Sequence, residues 1–144
     1  MNNKMTLEVN AIPQNEGFVR GCVAAFAAQC DPTVDVLNDI KTAVSEAVTN
    51  CVVHAYKQDE TGIIKIKSTL CDGIFSIEIT DFGEGIDNVE KALEDFYSTK
   101  KEEERSGLGF TIMKSFMDDL KVISEKNVGT TVIMTKNLVE NVKR

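Results

Sequence analysis

Apolar residues along this chain follow two periods, one of two residues and one between three and four. Met5 to Ala11 alternates apolar and polar residues and predicts a first strand. Glu16 to Cys30 reads as a helix, stopped by Asp31-Pro32, because proline clashes with a continuing helix. A longer helix is predicted from about Asp35 to Tyr56, where Ile40, Ala43, Val44, Ala47 and Cys51 recur at three and four and form one apolar face. Ile63 to Leu70 and Ile74 to Thr80 are β-rich runs around Cys71-Asp72-Gly73, the signature of a hairpin. Asn88 to Phe96 predicts a short helix, and Tyr97 to Arg105, charged and without a period, a mobile loop. A helix from roughly Leu108 to Leu120 follows, then a closing hairpin of Val122 to Glu125 and Thr130 to Lys136.

This order predicts an α/β (α+β) two-layer sandwich: a mixed, largely antiparallel sheet with helices gathered on one face. No repeat or linker divides the 144 residues, so residues 1–144 are expected to form one domain. The balance of 42% hydrophobic and 27% charged residues is that of a globular chain. A net charge of −7 disfavours nucleic acid, whose phosphates reward clustered Lys and Arg. The longest apolar stretch, Cys22 to Ala28, is far short of the ~20 residues a membrane span needs, and Met1 to Thr6 is polar. A cytoplasmic protein without membrane contact is expected. The four cysteines include no Cys-x-x-Cys pair, and with His54 the single histidine they offer no usual zinc spacing. Reduced, mostly buried thiols are expected.

Three local features carry chemistry. Thr42, Glu46, Asn50 and His54 recur every four residues on the long helix, crowded by Ala47, Val48, Cys51, Val52 and Val53. That setting puts Glu46 and Asn50 at a partly enclosed space, where a carboxylate needs a metal, a polar ligand or a proton to offset its desolvation. A tolerated polar stripe is the plainer alternative. Asp81-Phe82-Gly83-Glu84-Gly85 ends the second hairpin strand; a strand-end aspartate can accept from an exocyclic amine, and the glycines let backbone approach a ligand. A simple glycine turn fits the pentapeptide equally well. Arg105-Ser106-Gly107-Leu108-Gly109 reads as a helix opening, where free N–H groups bind phosphate and Arg105 adds a planar cation. A plain Ser-Gly helix entry is the alternative there. Asp-Phe-Gly also occurs in eukaryotic-type kinases, but no glycine-rich loop or His-Arg-Asp accompanies it. There is no Gly-Lys pair for a P-loop, and Asn88 and Ile112 stand where a dinucleotide fingerprint needs its third glycine.

Taken in order, these residues resemble the Bergerat-type ATP-binding fold of gyrase, Hsp90, histidine kinases and MutL. Glu46-x-x-x-Asn50 matches the N box, Asp81-x-Gly83-x-Gly85 the first glycine box, Gly107-Leu108-Gly109 the second, and Thr130 the threonine that helps hold adenine. Ser45-Glu46-Ala47-Val48-Thr49-Asn50 with His54-Ala55-Tyr56 is similar to the anti-sigma-factor serine kinases. The resemblance spans nearly the whole chain. It implies ATP/ADP and Mg²⁺ as ligands, with Asn50 giving its oxygen to Mg²⁺ and Glu46 acting as general base. Asp81 would hold the adenine amine, and Gly83 and Gly85 would shape the base pocket. Ser106, Gly107, Leu108 and Gly109 would cradle phosphates with Arg105 at the terminal one. Tyr97 to Glu104 would form a lid, with Ser98, Thr99 and Lys100 touching nucleotide. His54 lines the site near the phosphates or is a hydrogen-bonded core histidine.

The superfamily's activities narrow further. A self-phosphorylating histidine kinase needs a second histidine, and 144 residues leave no room for the extra domains of gyrase or MutL. A kinase acting on a serine or threonine of a partner protein remains, beside a nucleotide-gated binding protein with little or no catalysis. The resemblance alone points to the partners: a sporulation sigma factor that is inhibited and an anti-anti-sigma protein that is phosphorylated. Gly21, Ala24, Ala25 and Ala28 form a strip of small residues around Arg20, suiting a homodimer or partner interface, although packing on the sheet explains the strip as well. Lys57, Glu102, Glu103 and Glu104 are expected to be solvated charges.

Overall fold

The computed structural model describes residues 1–94 and 101–139, with the side chains of 101–108 outside that description. The elements are β1 (Asn2–Asn10), α1 (Gln14–Ala27), α2 (Val34–Thr49), β2 (Ile63–Cys71), β3 (Ile74–Asp81), α3 (Val89–Leu93), α4 (Lys101–Phe116), β4 (Asp119–Glu125) and β5 (Gly129–Asn137). The order matches the sequence pattern. The strands lie β1-β2-β3-β5-β4, and all four pairings are antiparallel. The expected parallel component is therefore absent among the described strands. β4 does run parallel to β3, but the return strand β5 of its hairpin sits between them.

Alternation decides the layers. In β2, Ile64, Ile66, Ser68 and Leu70 are buried, whereas Lys67 and Thr69 are exposed. The buried faces of β2, β3 and β5 meet Val19, Val23 and Phe26 of α1, Ile40, Val44 and Ala47 of α2, and Phe110 and Met113 of α4 in one core. Removing each large aliphatic or aromatic side chain from water contributes about 1.5–3 kcal/mol. α2 is the central helix, packed against both α1 and α4. Its start is set by Thr33, whose hydroxyl accepts the Val36 N–H at 3.2 Å. Asp31, at φ 56°, turns the chain between α1 and α2, where Pro32 was expected to end the first helix.

Two helices differ from expectation. The helix expected to run unbroken to Tyr56 is α-helical only to Thr49 and continues as a π-helix over Asn50–Ala55. The Tyr56 N–H reaches back five residues to the Cys51 carbonyl at 3.1 Å. This widening takes the Ala55 carbonyl out of the helical ladder, and it accepts the Glu84 N–H at 3.2 Å instead. α4 begins at Lys101, not near Leu108, so Gly107 and Gly109 lie inside a helix. Glycine lowers helix propensity by about 1 kcal/mol relative to alanine, but tertiary packing overrides it here.

Candidate active site

A cleft of about 590 Å³ opens between the end of α2 and the ends of β3 and β5, a size that suits a small-molecule ligand. Asn50, Cys51 and His54 line it from the helix side, and Asp81, Gly85 and Thr130 from the sheet and its loop. Asp81 and Thr130 face each other in the β3–β5 register and are 5% and 8% exposed. Residues 31 and 80 positions along the chain from Asn50 thus share one cavity with it.

The base of the cleft is fixed by backbone contacts that side chains would disrupt. A Cβ on Gly83 would lie 2.4 Å from the Ala55 carbonyl oxygen, so this glycine lets the loop after β3 close onto the π-helical turn. Gly85, at φ +75°, would place a Cβ 2.2 Å from the Glu125 carbonyl oxygen. The loop is further tied by the Asn127 N–H donating to the Glu84 carbonyl at 2.6 Å and the Ile86 N–H to Ser124 Oγ at 2.8 Å. Ser124 Oγ and Thr130 Oγ1 stand 2.7 Å apart, holding the threonine at the cleft wall.

Asp81 is a buried acid with a defined environment. Its Oδ1 accepts the Gly83 N–H at 3.0 Å, and the Cys51 thiol donates to Oδ2 at 3.8 Å. Burial pushes its carboxyl above the usual aspartate range, against the amides of Gly83 and Thr130 and the Cys51 thiol, which favour the charge. Burial, then the Asp81 charge, pushes the Cys51 thiol well up, so it stays protonated and able to donate.

The four-residue line on α2 is divided by the π-helical turn. Asn50 and His54, both half-buried, face the nucleotide-sized cleft. Glu46 opens instead onto a groove of about 310 Å³ between α1 and α2, with Arg20, Lys41, Thr42 and Ser45. α4 joins the two concavities: a Cβ on Gly109 would lie 3.3 Å from Asn50 Oδ1 and 3.4 Å from Glu46 Oε1. The N box and the second glycine box therefore meet in space. Burial, and then the carboxylate of Glu16, raises the proton affinity of Glu46. Arg20 pairs with Glu16 and donates to Ser45 Oγ at 3.2 Å. On the same helix Gly21 and Ala25 are exposed and Ala24 is half-buried, and Ala28, just past its end, is exposed.

Several expectations need correction or fall elsewhere. The amides of Gly107 to Gly109 lie within α4 rather than at a helix opening, because the helix starts at Lys101. Ser98, Thr99 and Lys100 lie outside the described residues, as do the side chains of Arg105, Ser106 and Leu108; the expected lid is half outside them, and its residues 101–104 are the first turn of α4 rather than a loop. The thiols are free but only Cys51 is buried; Cys71 is exposed, and Cys22 and Cys30 are intermediate. Lys57 borders the cleft and pairs with Glu84 at 3.1 Å while its side chain stays 70% exposed, a solvated charge as expected. Cys51, Ile86, Phe110 and Val132 also line the cleft without having been singled out. For Cys51 the only sequence signal was its place beside Asn50, since its apolar spacing spoke for core.

A family model described as "Histidine kinase-like ATPase domain" matches residues 9–136. An anti-sigma F factor of Clostridium perfringens is 54% identical over 96% of this chain and 99% of its own length. One from Caldanaerobacter subterraneus is 52% identical over 97% of each chain. Among solved structures, the RsbU and RsbW domains of Rv1364c from Mycobacterium tuberculosis superpose with a TM-score of 0.70 at 20% identity, over 94% of this chain and 32% of that one. The catalytic domain of the histidine kinase ThkA superposes at 0.58 and 18%, over 93% and 96%. These two share the fold. An acid-floored cleft walled by Asn50 and Thr130, and this depth of likeness, have one explanation: the chain belongs to the anti-sigma F factors, a family built on the histidine kinase-like ATPase domain.

Proposed function

We propose that this chain binds and inhibits a sporulation sigma factor and, as an ATP-dependent serine kinase, phosphorylates the antagonist protein that would release it. The observation that supports the catalytic half is that a Cβ on Gly109 would lie 3.3 Å from Asn50 Oδ1 and 3.4 Å from Glu46 Oε1, so the proposed base and the proposed magnesium ligand share one neighbour. The likeness to anti-sigma F factors supports the regulatory half.

The residues fit a magnesium nucleotide. Asn50 turns a neutral amide into the cleft next to a helical glycine, and Mg²⁺ needs few protein oxygens when phosphates supply the others. Bound there, the ion would supply charge neutralisation on the phosphates. Asp81 accepts the adenine amine, while Gly83, Gly85 and Thr130 shape the base pocket. His54 stands on the cleft wall next to Asn50. In the transfer, the substrate serine oxygen bonds to the terminal phosphorus, the bond to the ADP oxygen breaks, and Glu46 takes the hydroxyl proton. Its raised proton affinity suits that role. Ser98, Thr99, Lys100, Arg105, Ser106, Gly107 and Leu108 complete the nucleotide contacts. α1, with Arg20 and its exposed small residues, contributes to partner or homodimer contact.

A second reading draws on α4. With Gly107 to Gly109 inside the helix, their amides are committed to helical bonds, so nucleotide binding would reshape this segment and gate partner affinity with little catalysis. One experiment separates the two. Labelled ATP and the antagonist protein are incubated with wild type and with Glu46→Gln. A kinase labels a serine and loses transfer in the variant while keeping nucleotide affinity; transfer that survives rejects Glu46 as base, and no transfer in wild type leaves the gated binder.

A further inference from the structure

Cys51 takes no part in the transfer described above, yet its Sγ lies 3.8 Å from Oδ2 of Asp81 at the cleft floor. The pair is nearly sealed, with Cys51 4% and Asp81 5% exposed. Cys51 stands on the π-helical turn and Asp81 at the end of β3, so the contact bridges the helical layer and the sheet. The Gly83 amide holds Oδ1 at 3.0 Å and the Thr130 amide also acts on the carboxylate, which leaves Cys51 as its side-chain donor. A thiol is a weak donor, but bonds to sulfur are long, and 3.8 Å lies within their range. The neighbouring hydroxyls are committed elsewhere: Tyr56 to Ile63 and Phe82, Thr130 to Ser124. The charged pair Lys57 and Glu84 sits at the mouth.

We infer that Cys51 is a positioning residue for base selection, its S–H holding Oδ2 of Asp81 so that the carboxylate presents one fixed acceptor edge to an amino-bearing purine. This rests on the reading of Asp81 as the acceptor of the adenine amine. Adenine offers an N–H₂ donor where guanine offers a carbonyl oxygen. A fixed carboxylate accepts from the first and repels the second; one free to rotate or to hold a proton can donate to guanine, and selectivity falls.

The test is calorimetric titration of ADP and GDP, with Mg²⁺, into wild type, Cys51→Val, Cys51→Ser and Asp81→Asn, with thermal melts of each. Valine removes the donor at similar volume, and serine restores one. Cys51→Val should lose about three- to tenfold in ADP affinity with a matching fall in the ADP-to-GDP ratio, and Cys51→Ser should recover most of both. Independently of any Cys51 variant's folding, the S–H stretching band that Cys51→Ser removes should move to higher frequency in Asp81→Asn. An unchanged ratio in Cys51→Val, equal losses in valine and serine variants, or an unmoved S–H band would overturn the inference and leave Cys51 a packing residue. Full ADP affinity in Asp81→Asn would instead remove the reading of Asp81 itself.

Discussion

The Tyr56 hydroxyl accepts the Phe82 N–H at 2.7 Å, linking the end of the π-helical turn to the residue after Asp81. The same hydroxyl donates to the Ile63 carbonyl at 2.6 Å, so one oxygen ties the helix exit to the start of β2 and the end of β3. Gly62 lies under the ring, where a Cβ would come within 2.6 Å of it. Tyr56→Phe keeps the ring and orphans two backbone groups. Both bonds are exposed, so we expect a loss of about 0.5–1.5 kcal/mol in chemical denaturation and weaker ADP binding, because the Asp81 loop loses its anchor. A variant as stable as wild type would show that water replaces the hydroxyl.

Two glycines make opposite predictions on substitution by alanine. At Gly83 a Cβ meets the Ala55 carbonyl oxygen at 2.4 Å, so Gly83→Ala should push the loop from the π-helical turn, lower the melting temperature and weaken nucleotide binding at least tenfold, about 1.4 kcal/mol. At Gly21, on α1, nothing lies within 4 Å. Gly21→Ala should stabilise the free chain by about 0.5–1 kcal/mol, since alanine lowers the entropy cost of the helix. Measured together with partner association, it also reports on the exposed face of α1: retained stability with lost binding marks that face as a contact.

The pH dependence of Asp81 has opposite signs for stability and for ligand. Burial raises its carboxyl above the ordinary value of 3.8, so its stabilising contribution is fully present below that value and is lost as pH rises through the raised one. Asp81→Asn should flatten this part of the stability curve of the free protein. Adenine nucleotide binding needs the carboxylate as acceptor, so affinity should fall as pH drops through the same window. Titrations at several pH values, with wild type and Asp81→Asn compared, check both; an affinity independent of pH in wild type would contradict the acceptor role.

Ser68 supplies a test of the core. Its hydroxyl is 1% exposed on the helix-facing side of β2 and has no hydrogen-bond partner among the described residues. An unpaired buried hydroxyl costs about 1–3 kcal/mol. Ser68→Ala should therefore leave stability unchanged or raise it, as read by denaturant midpoint at constant slope. A clear loss would reveal a bond to a bound water.

The elements were legible because each carries its own period. Strand alternation in Ile63 to Leu70 and the three-and-four spacing from Ile40 to Cys51 depend only on which face meets the core. The local turn chemistry at Asp72-Gly73 was equally plain, with both residues at positive φ. What the periods did not carry was the change of pitch at Asn50. The widening goes with a distant acceptor-donor pair, the Ala55 carbonyl and the Glu84 amide, which have no common local pattern.

The sequence by itself determined the order of elements, the boxes around Glu46, Asn50, Asp81 and Gly109, and the apolar faces that drive the helices onto the sheet. Only the tertiary structure decided that Asn50 and Glu46 open onto different concavities, that a side chain at Gly109 would meet both, and that Cys51 faces Asp81. The physical reason is one of range. Periodicity records whether a side chain leaves water, a nearest-neighbour property, whereas distances between elements follow from how the completed layers pack.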